Sequence, residues 1–430
     1  MRILFLAHRL PYPPNKGDKI RSFWELRHLA AQHEVDLFCF YDDGDDEKFL
    51  PAAHDFCTNL YAERLSWWKS RFQSLWAFLR GRAISPAYFY SKSMLQKVRS
   101  SLNSRNYDLI FVYCSVMTQY APSDFRGRRV LDMVDVDSEK WAQYGSRKGI
   151  GVSWLWKLEA RRLAELERQA VEDFSAILVC TDQEAAALGR KVASPKIMVL
   201  ENHLDTDYFD PEKVPVPTEI AVWQPYIIFT GSMDYYPNVD AVTFFYREVF
   251  SCIRGSFPQA RLVIAGRNPA RAVRRLARDP AVLVTGAVSD MRPYLRGASA
   301  AVAPLRVACG VQNKILEALA MGLVVAVSNQ AAKALPKCLR SAVWIEDDPR
   351  RLAEFLVARL QEGARGSRAE IRDAAVKYFG IPGWQKRLEE IVLQTVHLAH
   401  HAEQGTAPAR IEAPSSAFPS ARLRKGAFRS

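Results

Sequence analysis

Ala300 to Val327 reads AAVAPLRVACGVQNKILEALAMGLVVAV. An apolar strand from Ala300 to Leu305 leads into a loop around Gly310. A short helix follows from Val311 to Met321, then a glycine stop and a second apolar strand. Short continuous apolar strands alternating with helices are the mark of a parallel sheet covered on both faces. The loop places Arg306, Gly310, Gln312, Asn313 and Lys314 where strand hands over to helix, with Glu317 on the first turn. Backbone N–H groups at a helix N-terminus, two cations and a glycine allowing close approach suit a diphosphate. A carboxylate one turn further in accepts hydrogen bonds from two vicinal hydroxyls, such as those of a ribose. The same residues also fit an ordinary amphipathic helix with Lys314 and Glu317 on its wet face, and both readings stand at this level.

Outward from this stretch the alternation continues. Strands are expected at Tyr226–Thr230, Arg261–Ala265, Val282–Thr285, Ala300–Ala303, Val324–Val327 and Val343–Ile345, with helical spacing at Arg350–Gln361 and Ala369–Tyr378. Upstream, prolines 211, 215, 217 and 225 lie in a stretch without apolar periodicity, so 205–225 reads as a linker. Before it stands a second series: Arg2–His8, Val35–Tyr41, Leu60–Ala62, Asp108–Cys114, Arg129–Val134, Ile177–Cys180 and Ile197–Leu200. The expected fold is therefore α/β, with two consecutive doubly wound, Rossmann-like domains and ligands bound in a cleft outside the strand C-termini. The domains read as 1–204 and 226–379, with a helix over 380–402 and a tail from 403 to 430 too poor in apolar residues to fold. Trp154–Phe174 reads as a long charged helix with Glu159 on its wet-dry border.

At 430 residues, 49% apolar and 25% charged, the chain has room for two cores. Its 7 cysteines are scattered singly, and Cys39, Cys114 and Cys180, in apolar strand-like runs, read as small buried hydrophobes in a reducing cytosol. No apolar run reaches the roughly 18 residues of a membrane span. The N-terminal MRILFLAHRLPYPP reads as a first strand and not as a signal peptide. A net charge of +12 calls for a polyanionic partner. No nucleic-acid-binding pattern accompanies it, which leaves anionic lipid.

That reading has a place in the sequence. Between Leu65 and Met94 (LSWWKSRFQSLWAFLRGRAISPAYFYSKSM) no acid occurs. Trp67, Trp68 and Trp76 mix there with Lys69, Arg71, Arg80 and Arg82, a composition suited to a bilayer interface with anionic headgroups. The alternative is a core helix that buries its aromatics and turns a basic face outward.

Two acidic motifs are weak. Asp42 to Glu47 lacks EF-hand spacing and reads as a solvated loop. Asp135-Val136-Asp137 is a D-x-D, which in some sugar-transferring enzymes holds Mn²⁺ or Mg²⁺. The default reading is a turn in which Asp137 or Ser138 caps the next helix. Asp135 remains a candidate catalytic residue.

Taken together, PPNKGDKIR after the first strand, ILVCTDQEAAAL, VLENHLDTDYFDP, FTGSMDYYPN, LVIAGRNP, VLVTGAVSDMRPYL, APLR and KILEALAMG resemble the family 4 glycosyltransferases of GT-B fold. DMVDVDSEKWAQY and GSMDYYPNVDAV resemble most the sugar transferases associated with bacterial exosortase (PEP-CTERM) and exopolysaccharide systems. The resemblance implies a hexosyltransferase, retaining and without cofactor or metal. Its donor is a nucleotide-diphosphate sugar, its acceptor a glycan or polyprenyl-linked glycan, and its place the cytoplasmic face of the plasma membrane. Nucleic acid is not an expected partner.

The resemblance also assigns residues. Glu317 matches the ribose-binding acid, and Gly310, Val311, Gln312 and Lys314 match the loop facing the diphosphate and donor sugar. Gly17 matches the amino-terminal loop that closes over the phosphates, and Gly231 the glycine after the first strand of the second domain. The last helix is implied to cross back onto the first domain. Cys309 stands where the family has a second carboxylate, Ser232 where many members have Arg, and Asn238 where they have Lys. Phosphate neutralisation then falls to Arg306, Lys314 and Arg267. A histidine common in the amino-terminal cleft has no match after Cys114. An epimerase or hydrolase of the same fold, and a non-catalytic scaffold in polysaccharide assembly, are the alternatives.

Overall fold

The structure, a computed structural model, describes residues 1–403 apart from 15–16, 43, 148–149, 309–311 and 364–367. It divides into two compact units, Met1–Asn202 joined by the chain from Trp384, and His203–Gly383. Each is an α/β unit built on one parallel sheet.

The first sheet has seven strands in the order β3-β2-β1-β4-β5-β6-β7. They are β1 (Arg2–Ala7), β2 (Glu34–Tyr41), β3 (Asn59–Arg64), β4 (Leu109–Tyr113), β5 (Arg128–Asp132), β6 (Ala176–Val179) and β7 (Ile197–Val199). Every ladder is parallel; β4 and β6 are buried along their whole length, and β1, β2 and β5 are buried beyond their first one or two residues. That is why they read as unbroken apolar runs. Strand order reverses between β1 and β4, so the loops at their C-terminal ends diverge and leave room for a ligand.

Helix α1 (Gly17–Gln32) follows β1; α2 (Trp67–Leu79) and α3 (Ile84–Tyr88) follow β3. Helices α4 (Asp137–Arg147) and α5 (Ile150–Asp173) form a hairpin before β6, and α6 (Asp182–Gly189) starts after it on the N-cap Thr181. Two buried carboxylates of α5 tie neighbouring helix starts. Glu159, expected at the wet-dry border, is 1% exposed and accepts the backbone N–H groups of Ile84 and Ser85 at the start of α3. Glu167 accepts the N–H of Ser138 at 2.9 Å, so the cap of α4 is supplied from another helix.

The second sheet has six parallel strands in the order β10-β9-β8-β11-β12-β13. They are β8 (Tyr226–Thr230), β9 (Arg261–Ala265), β10 (Val282–Gly286), β11 (Ala300–Ala303), β12 (Val325–Val327) and β13 (Val343–Ile345). The order reverses between β8 and β11. Helices α7 (Tyr236–Phe244), α8 (Arg271–Leu276) and α9 (Asn313–Ala320) follow β8, β9 and β11. Helix α9 buries Ile315, Leu316 and Leu319, which fixes which side of it is left for Lys314 and Glu317.

Residues 205–225, read as linker, carry short helical turns at Pro211–Lys213 and Thr218–Ala221. Val214 and Ile220 are buried in the second unit's core. Two of the four prolines that suggested a linker, Pro211 and Pro217, sit at or next to helix starts, where their missing N–H costs little. The chain ends its described part in α10 (Ile381–Glu403). Trp384, Leu388, Ile391 and Val392 of this helix are buried in a cluster with Phe5, Leu29 and Phe111 of the first unit. Residues 404–430, expected to be unfolded, lie outside the described residues.

Candidate functional site

In the second unit the loops after β8, β9 and β11 meet at the C-terminal edge of the sheet. Gly231 and Gly266 have φ of 147° and 150°, conformations that side chains rarely adopt. They also touch: a Cβ on Gly266 would fall 1.7 Å from the carbonyl oxygen of Gly231. A Cβ on Gly231 would fall 2.9 Å from Lys314 Nζ and 2.7 Å from Asn238 Nδ2. Glycine at both places brings backbone and cation into one cradle.

Lys314 reaches this cradle from the first turn of α9. Its Nζ donates to Asn238 Oδ1 at 2.5 Å and lies 4.5 Å from the centroid of the Phe229 ring. Asn238 Nδ2 in turn donates to the carbonyl of Ser232 at 2.9 Å. Arg267 joins through its Nε, 3.3 Å from Ser232 Oγ. Arg306 is held differently. Its guanidinium forms a bidentate pair with Asp240 and lies over Phe244, so its charge is already answered. Gln312 is the N-cap of α9 and gives it no side-chain cap, which suits a helix start that receives an outside anion. Cys309, Gly310 and Val311 lie outside the described residues.

Burial in this corner pushes the Lys314 ammonium down to about 7, partly opposed by Glu317. It pushes the Glu317 carboxyl up to about 7, partly opposed by Lys314. Neither charge is comfortable without a ligand. A diphosphate would stabilise the ammonium, and hydroxyl donors would stabilise the carboxylate. Sequence reasoning named Lys314, Glu317, Gly231 and Arg267, and the structure gathers Gly231, Lys314 and Arg267 around Ser232 and Asn238. It missed Phe229 and counted Asn238 as a lost cation.

In the first unit, Gly17 is the exposed first residue of α1. Asp18 behind it bonds His8 and Arg9 at 3.5 and 2.9 Å. Burial pushes the Asp18 carboxyl up, but these two partners outweigh it and hold it well below the usual range. Deeper in, Arg21 bonds Asp132 at 2.8 Å beside the buried Glu25. Burial and the neighbouring Asp132 raise Glu25 well above its ordinary value. Burial and Asp135 raise Glu184 to about 8.

Cys114 and Val134, after β4 and β5, have φ of 77° and 66°. Backbone strain of this kind at two adjacent strand ends is typical of a ligand-facing edge. Asp135 and Asp137 share Lys140, whose Nζ is 3.6 and 3.3 Å from them, so a cation of the chain already lies between these acids. Among the described residues no three His, Cys, Asp or Glu side chains gather as a metal-ligand set.

Helix α2 is turned inside out. It buries Ser70 and Ala77, while Trp68, Phe72, Leu75, Trp76 and Leu79 are each more than half exposed. Their spacing puts them on one face. Trp67 is exposed beside them, and Arg71 and Arg80 lie over the rings of Trp67 and Trp76 at 4.1 and 4.6 Å. Lys69 and Arg82 are also exposed. The core-helix alternative required the opposite face inward. Among the described residues no helix is long and apolar enough to cross a membrane.

Residues 224–362, which contain the cradle, match the family described as Glycosyl transferases group 1. No curated protein matches the chain. Among solved structures, HepE of Anabaena in complex with UDP is similar at a TM-score of 0.62 and 13% identity, over 92% of this chain and 100% of that one. Sucrose-phosphate synthase of Thermosynechococcus elongatus is similar at 0.63 and 16%, over 94% and 100%. The N-terminal domain of trehalose-6-phosphate phosphatase of Candida albicans is similar at 0.64 and 13%, over 91% and 96%. These likenesses, with the two parallel sheets, give the chain the GT-B fold.

Proposed function

We propose that this chain is a glycosyltransferase that moves a sugar from a nucleotide-diphosphate sugar to a glycan acceptor, with retention of configuration and without a metal ion. The observation that carries this reading is the cradle of Gly231, Asn238, Arg267 and Lys314 beside the start of α9. Breaking the bond between the sugar C1 and the diphosphate leaves negative charge on the departing oxygens. A helix N-terminus, one lysine and one arginine are aimed where that charge develops. Glu317 accepts the ribose hydroxyls and fixes the nucleotide one turn along. The acceptor oxygen bonds C1 on the face the diphosphate leaves and passes its proton to the departing diphosphate oxygen, which has taken the electrons of the broken C1–O bond, so no covalent carboxylate nucleophile is called for.

The match of residues 224–362 to a glycosyltransferase family supports this reading, and the Anabaena complexes make UDP and UDP-glucose the first ligands to try. The outward aromatic-cation face of α2 supports an acceptor presented at an anionic membrane surface, as polyprenyl-linked glycans of exopolysaccharide assembly are. Glu317→Ala weakens UDP binding by about 1–3 kcal/mol, the loss expected for a charged hydrogen-bond acceptor. Titration calorimetry checks it, and unchanged affinity removes the ribose assignment. Sugar transfer persists in EDTA. Complete loss on chelation with rescue by Mn²⁺ would make Asp135 and Asp137 metal ligands instead.

A further inference from the structure

Helix α8 carries Arg271, Arg274 and Arg275, and Arg278 follows it; their spacing puts all four on one face. They line an open concavity of about 430 Å³, with no other residue contributing. Elsewhere in this unit arginines find acids: Arg254 with Asp279, Arg292 with Asp290, Arg372 with Asp210. None of the four arginines of the concavity has a carboxylate partner among the described residues. The helix dipole accounts for Arg274 and Arg275 in the last turn. It opposes Arg271, which stands in the first turn.

Among the described residues no carboxylate thus answers this charge. General attraction to a flat anionic surface is served as well by lysine, whereas four guanidinium forks around a hollow suit tetrahedral oxyanions held by paired hydrogen bonds. One phosphate carries about −1.5 to −2 of charge at neutral pH, less than four guanidinium groups offer, which favours a ligand with more than one.

We propose that this concavity binds a soluble ligand carrying two or more phosphate groups, at a site separate from the Lys314 cradle. The site shares no residue with that cradle, so it stands whether or not the nucleotide assignment does.

The probe is tripolyphosphate, titrated calorimetrically into the full chain at physiological salt, with and without UDP. The expected result is binding that persists in saturating UDP and in Glu317→Ala. Arg274→Ala with Arg275→Ala weakens it roughly tenfold or more, the loss of two charge-assisted contacts. Arg247→Ala, an exposed arginine of the same unit off this face, leaves it unchanged. Exposed substitutions of this kind rarely unfold a protein, and an unaltered thermal midpoint of the double variant verifies that.

Three results overturn the proposal: no binding at physiological salt, binding displaced by UDP or lost in Glu317→Ala, and binding equal in the double variant. If the four arginines pull the protein onto vesicles of phosphatidylglycerol while tripolyphosphate does not bind, the concavity serves a lipid surface and the assignment to a soluble ligand is wrong.

Discussion

Lys314 Nζ lies 2.5 Å from the side-chain oxygen of Asn238, the position where the sequence resemblance implies a lysine in many members. The cation missing from one loop is thus delivered to the same place by a side chain 76 residues further on. A sequence shows that Asn238 is neutral and that Lys314 is charged. It does not show that they meet, because the meeting depends on β8 lying next to β11 in the sheet. Arg306 escaped in the opposite direction, since Asp240, which neutralises it, is 66 residues away.

The Lys314–Glu317 pair has a consequence for pH. With both groups near 7 in the free protein, raising the pH above 7 discharges the ammonium that a diphosphate needs. Lowering it below 7 protonates the carboxylate that the ribose hydroxyls need. Bound diphosphate raises the lysine pKa, so binding takes up a proton on the alkaline side. UDP affinity is therefore expected to peak near neutrality and fall on both flanks, with Glu317→Gln flattening the acid flank down to about pH 6, where the terminal phosphate of UDP itself takes up a proton. Calorimetric titrations from pH 5.5 to 9 in buffers of different ionisation heat read both affinity and proton uptake. A flat profile would falsify the linkage.

Among elements, the strands were the most legible, because a strand buried on both faces leaves an unbroken apolar run. Helix α2 was legible in composition and not in orientation. Its aromatics could have pointed either way, and the only local sign of the true inner face is Ser70 and Ala77, two small residues seven apart. An exposed stripe of this size on one helix is more than a soluble surface ordinarily tolerates. Each Lys or Arg near an anionic bilayer contributes about 1 kcal/mol, screened beyond about 8 Å at physiological salt. Replacing Lys69, Arg71, Arg80 and Arg82 by Gln is therefore expected to release the protein from anionic liposomes and leave UDP affinity unchanged. Trp68→Ser with Trp76→Ser acts on the apolar half of the same contact. Vesicle sedimentation measures both, and equal pelleting of wild type and variants removes the membrane role of α2.

For the whole molecule, two strand-helix series in the sequence correspond to two units each holding one parallel sheet. Residues 205–225 have linker composition, yet Val214 and Ile220 are buried in the second core, with Phe209, Val216 and Trp223 packed against it. The last helix carries its address plainly: Trp384, Leu388, Ile391 and Val392 repeat at helical spacing and are buried in the first unit. Burying a large apolar side chain contributes about 2 kcal/mol. Four of them amount to much of the roughly 5–15 kcal/mol by which a domain is stable. Ending the chain at Gly383 is thus expected to expose the first unit to hydrogen exchange in β1 and β2 while β8 and β9 stay protected. Equal protection of β1 in the shortened and full chains would mean that α10 adds nothing to that core.

The return of α10 also sets an order of events on the ribosome. Residues 1–202 emerge before the second unit, and the helix that completes their core is made only after it. While the second unit is being synthesised, the apolar surface around Phe5, Leu29 and Phe111 has no cover. The second unit holds all its own strands within one continuous segment and can finish as soon as it leaves the tunnel. Of the two units, the one that emerges earlier is thus the one that matures later, and in that interval its unfinished core depends on shielding from outside the chain.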